Sequence, residues 1–164
     1  MTNALQKQKK NFLGEKDLDF EIYRSIDRAH AILNRARGLE LSQFGITPEH
    51  AGVLRTLLDA GGSLTNADIS ATQIRQSNSV TTLVTRMEKM GLVEKKRAGM
   101  GTKIVVSITP KGQDIYKNVP SKSIQMAFSN IKKEDKDRMY KYLLQLIEKG
   151  REILGMNQKL PFLT

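Results

Sequence analysis

QSNSVTTLVTRMEKMGLVEKKRAGMGTKIVVSITPKG, residues 76–112, is the stretch whose reading decides the fold. Its first part has helical periodicity. Val80, Leu83, Val84 and Met87 share one face, while Asn78, Thr81, Thr82, Thr85, Arg86 and Lys89 lie elsewhere. Ser77 is the expected N-cap, its hydroxyl accepting from an unpaired amide of the first turn. Gly91 is the expected stop, because glycine takes the left-handed cap conformation without steric cost. Residues 93–96 and 103–108 then read as strands, the second holding β-branched Ile104, Val105, Val106 and Ile108. The connection between them carries Gly99 and Gly101 and is bracketed by Lys95, Lys96, Arg97 and Lys103.

The outer face of that helix bears short Ser, Thr and Asn groups, where a merely solvated helix usually has a Glu/Lys ladder. Such side chains let a helix sit deep in a major groove and touch base edges or phosphates. A polar surface helix without a partner would look similar. The hairpin separates the two readings, since a basic tip containing glycine can follow the sugar-phosphate backbone or enter a minor groove. Residues 70–117 hold nine Lys or Arg against three Asp or Glu, so the positive excess lies on the proposed reading face. A helix followed by a basic hairpin predicts a winged helix-turn-helix.

Upstream, residues 1–16 include Lys7, Lys9 and Lys10 and read as a basic flexible tail. Residues 17–46 contain an amphipathic helix with Ile22, Ile26, Ala29, Leu33 and Ala36 at helical spacing. Thr47 and Pro48 mark the next helix start, and that helix runs past Val53, Leu54, Leu57 and Leu58 to Gly61 and Gly62. Thr65 and Asp68 resemble a capping box that opens the first helix of the turn motif at Asn66. Downstream of residue 112, a helix is expected from about Gln113, broken near Pro120 and carrying Ile124, Phe128 and Ile131 on one face. A last helix presents Met139, Leu143, Leu146 and Ile147, flanked by Tyr140 and Leu144. Its apolar face needs cover, either from the first helix of the same chain or from a second copy. Twofold symmetry suits a reader of palindromic DNA and favours the second copy. The tail Leu160, Pro161, Phe162 and Leu163 is a further candidate for that contact.

Composition narrows the class. The chain has 164 residues, enough for one domain or one intertwined protomer, and a formal charge of +10 with pI near 9.9. That balance suits a nucleic-acid binder, though ribosomal and membrane-surface proteins share it. No apolar run has the length to cross a bilayer, and the first residues lack the apolar core of a signal peptide, so a cytoplasmic protein is expected. The absence of cysteine removes thiol-based redox sensing; with only two histidines as well, no metal site is expected. There is no Gly-rich phosphate loop or nucleophile motif, so no cofactor and no catalytic residue are assigned. RNA recognition is disfavoured because four Tyr, five Phe and no Trp leave few stacking platforms, none on the reading face. A winged-helix protein-interaction module is the better rival, since the fold does not impose DNA binding.

Several phrases in order give the chain a family likeness. They are Ile46-Thr47-Pro48-Glu49-His50 with Val53-Leu54, Leu64-Thr65-Asn66-Ala67-Asp68-Ile69, Ser79-Val80-Thr81, Leu83-Val84 and Arg86-Met87-Glu88. Gly91-Leu92-Val93 and Ile108-Thr109-Pro110-Lys111-Gly112 complete the set. With these the chain resembles the MarR family of bacterial transcription regulators over nearly its whole length beyond the first fifteen or so residues. The resemblance implies a mainly α fold with a small β-hairpin wing. A winged helix-turn-helix over residues 47–112 would stand between dimerisation helices at residues 17–46 and 113–164. It implies a homodimeric repressor on a pseudo-palindromic double-stranded operator, released by a small aromatic or anionic effector. Met100-Gly101-Thr102 stands where the family commonly has Asp-x-Arg, leaving Lys103 or Arg97 to take the place of that wing Arg. Thr82 likewise replaces an Arg common in relatives and points to a different operator preference.

The candidate DNA contacts are therefore Ser77, Asn78, Ser79, Thr81, Thr82, Thr85 and Arg86 for the groove. Thr65 and Asn66 are assigned to a phosphate, and Lys95, Lys96, Arg97 and Lys103 to the backbone. Arg86 is the foremost candidate for guanine or phosphate, the alternative being an ion pair with Glu88. Tyr23, His30, Arg37 and His50 are candidates for an effector site, although a histidine on an amphipathic helix is more often a packed or surface residue.

Overall fold

The computed structural model of the chain describes residues 17–73, 77–97 and 103–156. Helix α1 spans Leu18–Ser42, capped by Asp17, whose carboxylate accepts from the amides of Asp19 and Phe20. Helix α2 spans Pro48–Asp59. Strand β1 (Ser63–Thr65) leads into α3 (Asn66–Gln73), and α4 covers Ser77–Lys89. Strands β2 (Val93–Arg97) and β3 (Ile104–Ile108) follow, then α5 (Pro110–Asn118), α6 (Lys122–Ala127) and α7 (Lys133–Ile153). The sheet is antiparallel in the order β1-β3-β2.

One core holds the middle of the chain together. Val53, Leu54 and Leu57 of α2, Ile69 of α3 and Val80, Val84 and Met87 of α4 are fully buried against Leu92, Val93 and Val106. The spacing 80, 84, 87 places three α4 side chains on one stripe, as the helical period requires. Each such side chain contributes about 1.5–3 kcal/mol by leaving water. From α1 only Leu41 is buried.

Glycine closes the two central helices. Gly62 (φ 104°) donates to the Leu57 carbonyl at 2.7 Å and ends α2. Gly91 (φ 71°) ends α4, and the following Leu92 amide reaches back to the Met87 carbonyl at 2.9 Å, the pattern of a left-handed C-terminal cap. Gly112 serves close approach instead: a Cβ there would lie 2.2 Å from the Leu92 carbonyl oxygen.

Several expectations need correction. The sheet has a third strand, β1, which pairs Leu64 with Val106 of β3. Helix α4 is described from Ser77, and the expected cap by the Ser77 side chain lies outside what is described. The helix expected from Gln113 begins at Pro110, because Thr109 accepts from the Gly112 amide and proline suits the first turn. The expected break near Pro120 separates α5 from α6. Ile131 lies beyond α6, so it does not share a helical face with Ile124. The basic tail at residues 1–16, the wing tip with Met100, Gly101 and Thr102, and the tail from Leu160 to Leu163 lie outside the described residues.

Candidate nucleic-acid interface

Helix α4 turns its apolar stripe inward and its polar side outward. Asn78, Ser79, Thr81, Thr82, Arg86 and Lys89 are exposed, and none of them is acidic. An open groove of about 530 Å³ runs between this face and the start of α2, lined by Thr47, Glu49, Asn78, Ser79, Thr82, Leu83 and Arg86. A second depression is lined by Thr81, Thr82, Thr85, Arg86 and Lys89. Thr82 and Arg86 border both and so stand on the ridge between them. Lys89 joins this surface although the sequence reading left it out. Its helical position, three residues beyond Arg86, was the signal.

The hydroxyls divide their hydrogen bonds in a way that restricts what they can offer. Thr82 Oγ1 donates to the Asn78 carbonyl at 3.1 Å, and Thr85 Oγ1 donates to the Thr81 carbonyl at 2.8 Å. With the proton turned into the helix, Thr82 presents acceptor lone pairs and a methyl group outward. Those suit an exocyclic amine and a thymine methyl in a major groove. Thr85, half-buried, already accepts from Lys95 Nζ at 3.1 Å.

Lys95 departs from the expected phosphate contact. Alternation along β2 puts Val93 and Lys95 on the inner side, and Glu94 and Lys96 on the outer. Lys95 Nζ meets Glu88 Oε2 at 2.8 Å as well as Thr85, pinning the root of the wing to α4. Glu88, the acid considered as a partner for Arg86, is thus paired with Lys95. Lys96 is exposed and, among the described residues, forms a surface pair with Glu94 at 2.8 Å. Arg97, the last residue of β2, and Lys103, just before β3, are both exposed.

At the start of α3 the Thr65–Asp68 box is present. Asp68 donates its amide to Thr65 Oγ1 at 3.2 Å, and its carboxylate accepts the Thr65 hydroxyl at 2.6 Å and amide at 3.3 Å. The donors of Thr65 that would hold a phosphate are thereby engaged by a carboxylate. Asn66 Nδ2 reaches Thr81 Oγ1 at 3.5 Å, linking the two helices of the turn motif.

The four effector candidates have different surroundings. Tyr23 is exposed on α1 and stacks on Phe20 with ring centroids 6.2 Å apart. His30 is exposed two turns further along α1. Arg37 is tied to Glu40 Oε2 at 2.6 Å and to the Pro120 carbonyl. Glu40 further accepts from the Lys122 amide at 2.8 Å and from the Ser123 hydroxyl and amide. The Ser123 hydroxyl first, then Arg37 and the backbone amides of Ser123 and Lys122, hold the Glu40 carboxyl at about 2 against the opposing effect of burial. His50 is buried and works as a cap: its Nδ1 accepts the Thr47 amide at 3.2 Å and its own amide donates to Thr47 Oγ1 at 3.4 Å. Burial, then the positive charge of Arg86, lowers its pKa, while Glu49 acts the other way.

Among the described residues no group of three His, Cys, Asp or Glu is placed to hold a metal ion, and no helix is long and apolar enough to cross a membrane. An exposed polar second helix, a paired β2–β3 and long flanking helices together define a winged helix-turn-helix of the kind found in MarR-family transcription regulators. AbsC, a MarR-family regulator from Streptomyces coelicolor, is 19% identical with a TM-score of 0.75, covering 85% of this chain and 98% of its own. The organohalide-sensing regulator RdhR in its 2,4-dichlorophenol-bound form is 22% identical with a TM-score of 0.73, over 84% and 87%. A mutant E. coli MarR in complex with operator DNA is 18% identical with a TM-score of 0.69, over 82% and 99%. No protein-family model and no curated protein sequence matches the chain.

Proposed function

We propose that this protein is a sequence-specific regulator of transcription that binds double-stranded DNA as a homodimer. The observation that carries the reading is the exposed face of α4. Short polar groups and two cations, Arg86 and Lys89, cover a helix whose other side is sealed into the core. That face matches the width and chemistry of a major groove, and the solved E. coli MarR complex with operator DNA shares the fold. In each protomer α4 would enter a major groove one helical turn from its mate, on a pseudo-palindromic operator. Lys96, Arg97 and Lys103 would supply backbone affinity.

The homodimer is supported by α1 and α7, whose apolar side chains the protomer leaves uncovered. Ile22, Ile26, Leu146 and Ile147 all stand exposed, and α7 has no buried residue. Repression follows most simply, since a dimer seated across a promoter obstructs polymerase. A small aromatic or anionic effector is the proposed release signal, in keeping with the 2,4-dichlorophenol bound by RdhR. Tyr23 and His30 stay candidates for its contacts; Arg37 and His50 already have partners within the chain. The protein is read as a cytoplasmic non-enzyme.

The test is binding to duplex from the gene's own upstream region against random duplex across a salt series. Selective binding that weakens steeply with salt is expected, and Arg86→Ala should cost about 1–3 kcal/mol of the specific term if Arg86 reads a base bidentately. Equal, weak binding to both duplexes at every salt would turn the reading toward a protein-interaction module.

A further inference from the structure

Two chain crossings join the winged unit to the long helices. One is the turn from α1 into α2, where Gly45 (φ 69°) and buried Ile46 carry the chain across. The other is the break between α5 and α6 at Pro120. A hinge at two such crossings would let the winged unit rock against the helices, changing the distance between the reading helices of a dimer.

A single carboxylate holds both crossings. Glu40 sits in the last turn of α1, just before the first crossing. Its oxygens take the Lys122 amide at 2.8 Å and the Ser123 amide and hydroxyl, just after the second. Arg37, one turn back, completes the clasp by bonding both Glu40 and the Pro120 carbonyl. The two side chains are only 12% and 18% exposed, so the pair is partly shielded from competing water and salt.

The far end of α5 is fastened as firmly to the recognition helix. Lys111 Nζ donates to the Met90 carbonyl at 2.8 Å and Thr109 Oγ1 to the Gly91 carbonyl at 2.7 Å. The Thr109 amide donates to the Leu92 carbonyl at 3.1 Å. Gly112 permits this approach, since any side chain would meet Leu92. Helix α5 is therefore clamped to the end of α4 at one end, and the link that leaves its other end is held to α1 by Arg37 on the Pro120 carbonyl and by Glu40 on the first residues of α6.

We propose that Glu40 is a positioning residue that sets the half-site spacing this protein accepts on DNA. It touches no DNA. It acts by fixing Arg37 and the start of α6 against α1, and so the Pro120 link from which α5 runs to the recognition helix. The inference rests on the DNA-binding reading above and adds to it a determinant of operator geometry.

The experiment compares wild type, Glu40→Gln and Ser123→Ala on the native operator and on the same operator with one base pair inserted between half-sites. The insertion rotates one half-site by roughly 35°. A locked wild type should lose about tenfold or more in affinity on the insertion, because one half-site is then out of reach. Glu40→Gln should bind the native operator nearly as well and lose only about threefold or less on the insertion, with Ser123→Ala between. In parallel, amide exchange at Lys122 and Ser123 should quicken in Glu40→Gln while the core of α4 stays protected. Undiminished spacing discrimination in both variants would overturn the proposal. Were wild type to bind no duplex selectively, the DNA-binding reading would fall on its own account. Exchange would then decide the clasp, unchanged rates at Lys122 and Ser123 counting against it.

Discussion

Leu54, Leu57, Ile69, Val80, Val84 and Met87 are sealed inside the winged unit of one chain, whereas Leu18, Ile32, Leu39, Leu146 and Ile153 of α1 and α7 stand in the open. The two regions have comparable apolar content along their helices but dispose of it differently. The winged unit closes because three short helices and a sheet can surround a point. A helix of 21 residues such as α7 spans about 30 Å and has too little of its own chain alongside to cover it. The lesson is that the chain closes one region on itself and leaves the apolar face of the other open.

The largest expected effects test that contrast directly. Leu57→Ala opens a cavity in the closed core and should cost about 2–5 kcal/mol in denaturant unfolding, whatever the protein concentration. Leu146→Ala would cost within about 0.5 kcal/mol if the protomer were the whole story. With a second copy covering α7, the loss should be several times greater and should shrink the dependence of unfolding on protein concentration. Leu146→Glu should then sediment as a monomer with its winged unit still folded. A Leu146→Glu protein that sediments as wild type would remove this face of α7 from any interface.

The same contrast explains which features were legible in the sequence. The stripe of Val80, Val84 and Met87, the stop at Gly91 and the Thr47–Pro48 start are local signals with short-range causes, and each element stands where they place it. Strand β1 is not local. Ser63, Leu64 and Thr65 are too short a run, with Thr65 alone β-branched, to signal a strand, and they are extended because β3 lies beside them, with the Ser63 and Ser107 hydroxyls bonded at 2.8 Å. The roles of Arg37 and Lys95 were hidden for the same reason. A charged side chain shows its sign in a sequence, but whether it faces solvent or a carboxylate depends on partners 83 residues away in one case and on the pleat of β2 in the other. Of the candidate site, the polar face of α4 was readable because helical period alone decides what points outward.

Lys95 and Lys96 carry the contrast down to adjacent residues, with a smaller expected effect. Lys96 is outward and free to exchange its Glu94 partner for a phosphate, so Lys96→Ala should flatten the salt dependence of DNA binding by about 0.9 in the logarithmic slope. Lys95→Met should leave that slope unchanged. It should instead loosen β2 from α4, lowering stability by about 0.5–1.5 kcal/mol as the bonds to Glu88 and Thr85 are lost. A fall in slope for Lys95→Met equal to that for Lys96→Ala would mean that Lys95 leaves Glu88 for the DNA backbone and that the inner and outer sides of β2 are not distinct.

The smallest expected effect concerns His50, which sits where the closed core meets the groove beside the polar face of α4. Its ring nitrogen Nδ1 accepts the Thr47 amide, a bond that only the unprotonated nitrogen can make. Burial, then the charge of Arg86, lowers its pKa from the ordinary 6.5, with Glu49 opposing. The fold therefore prefers neutral His50, and as pH falls the unfolded chain takes up the proton first. The contribution is complete above about pH 6.5 and is lost progressively below it. Stability measured between about pH 7 and pH 5 should decline in wild type and decline less in His50→Gln, whose side chain can accept the same amide without titrating. Equal slopes in the two proteins would mean that the acid sensitivity arises elsewhere and that the Thr47–His50 cap opens without proton uptake.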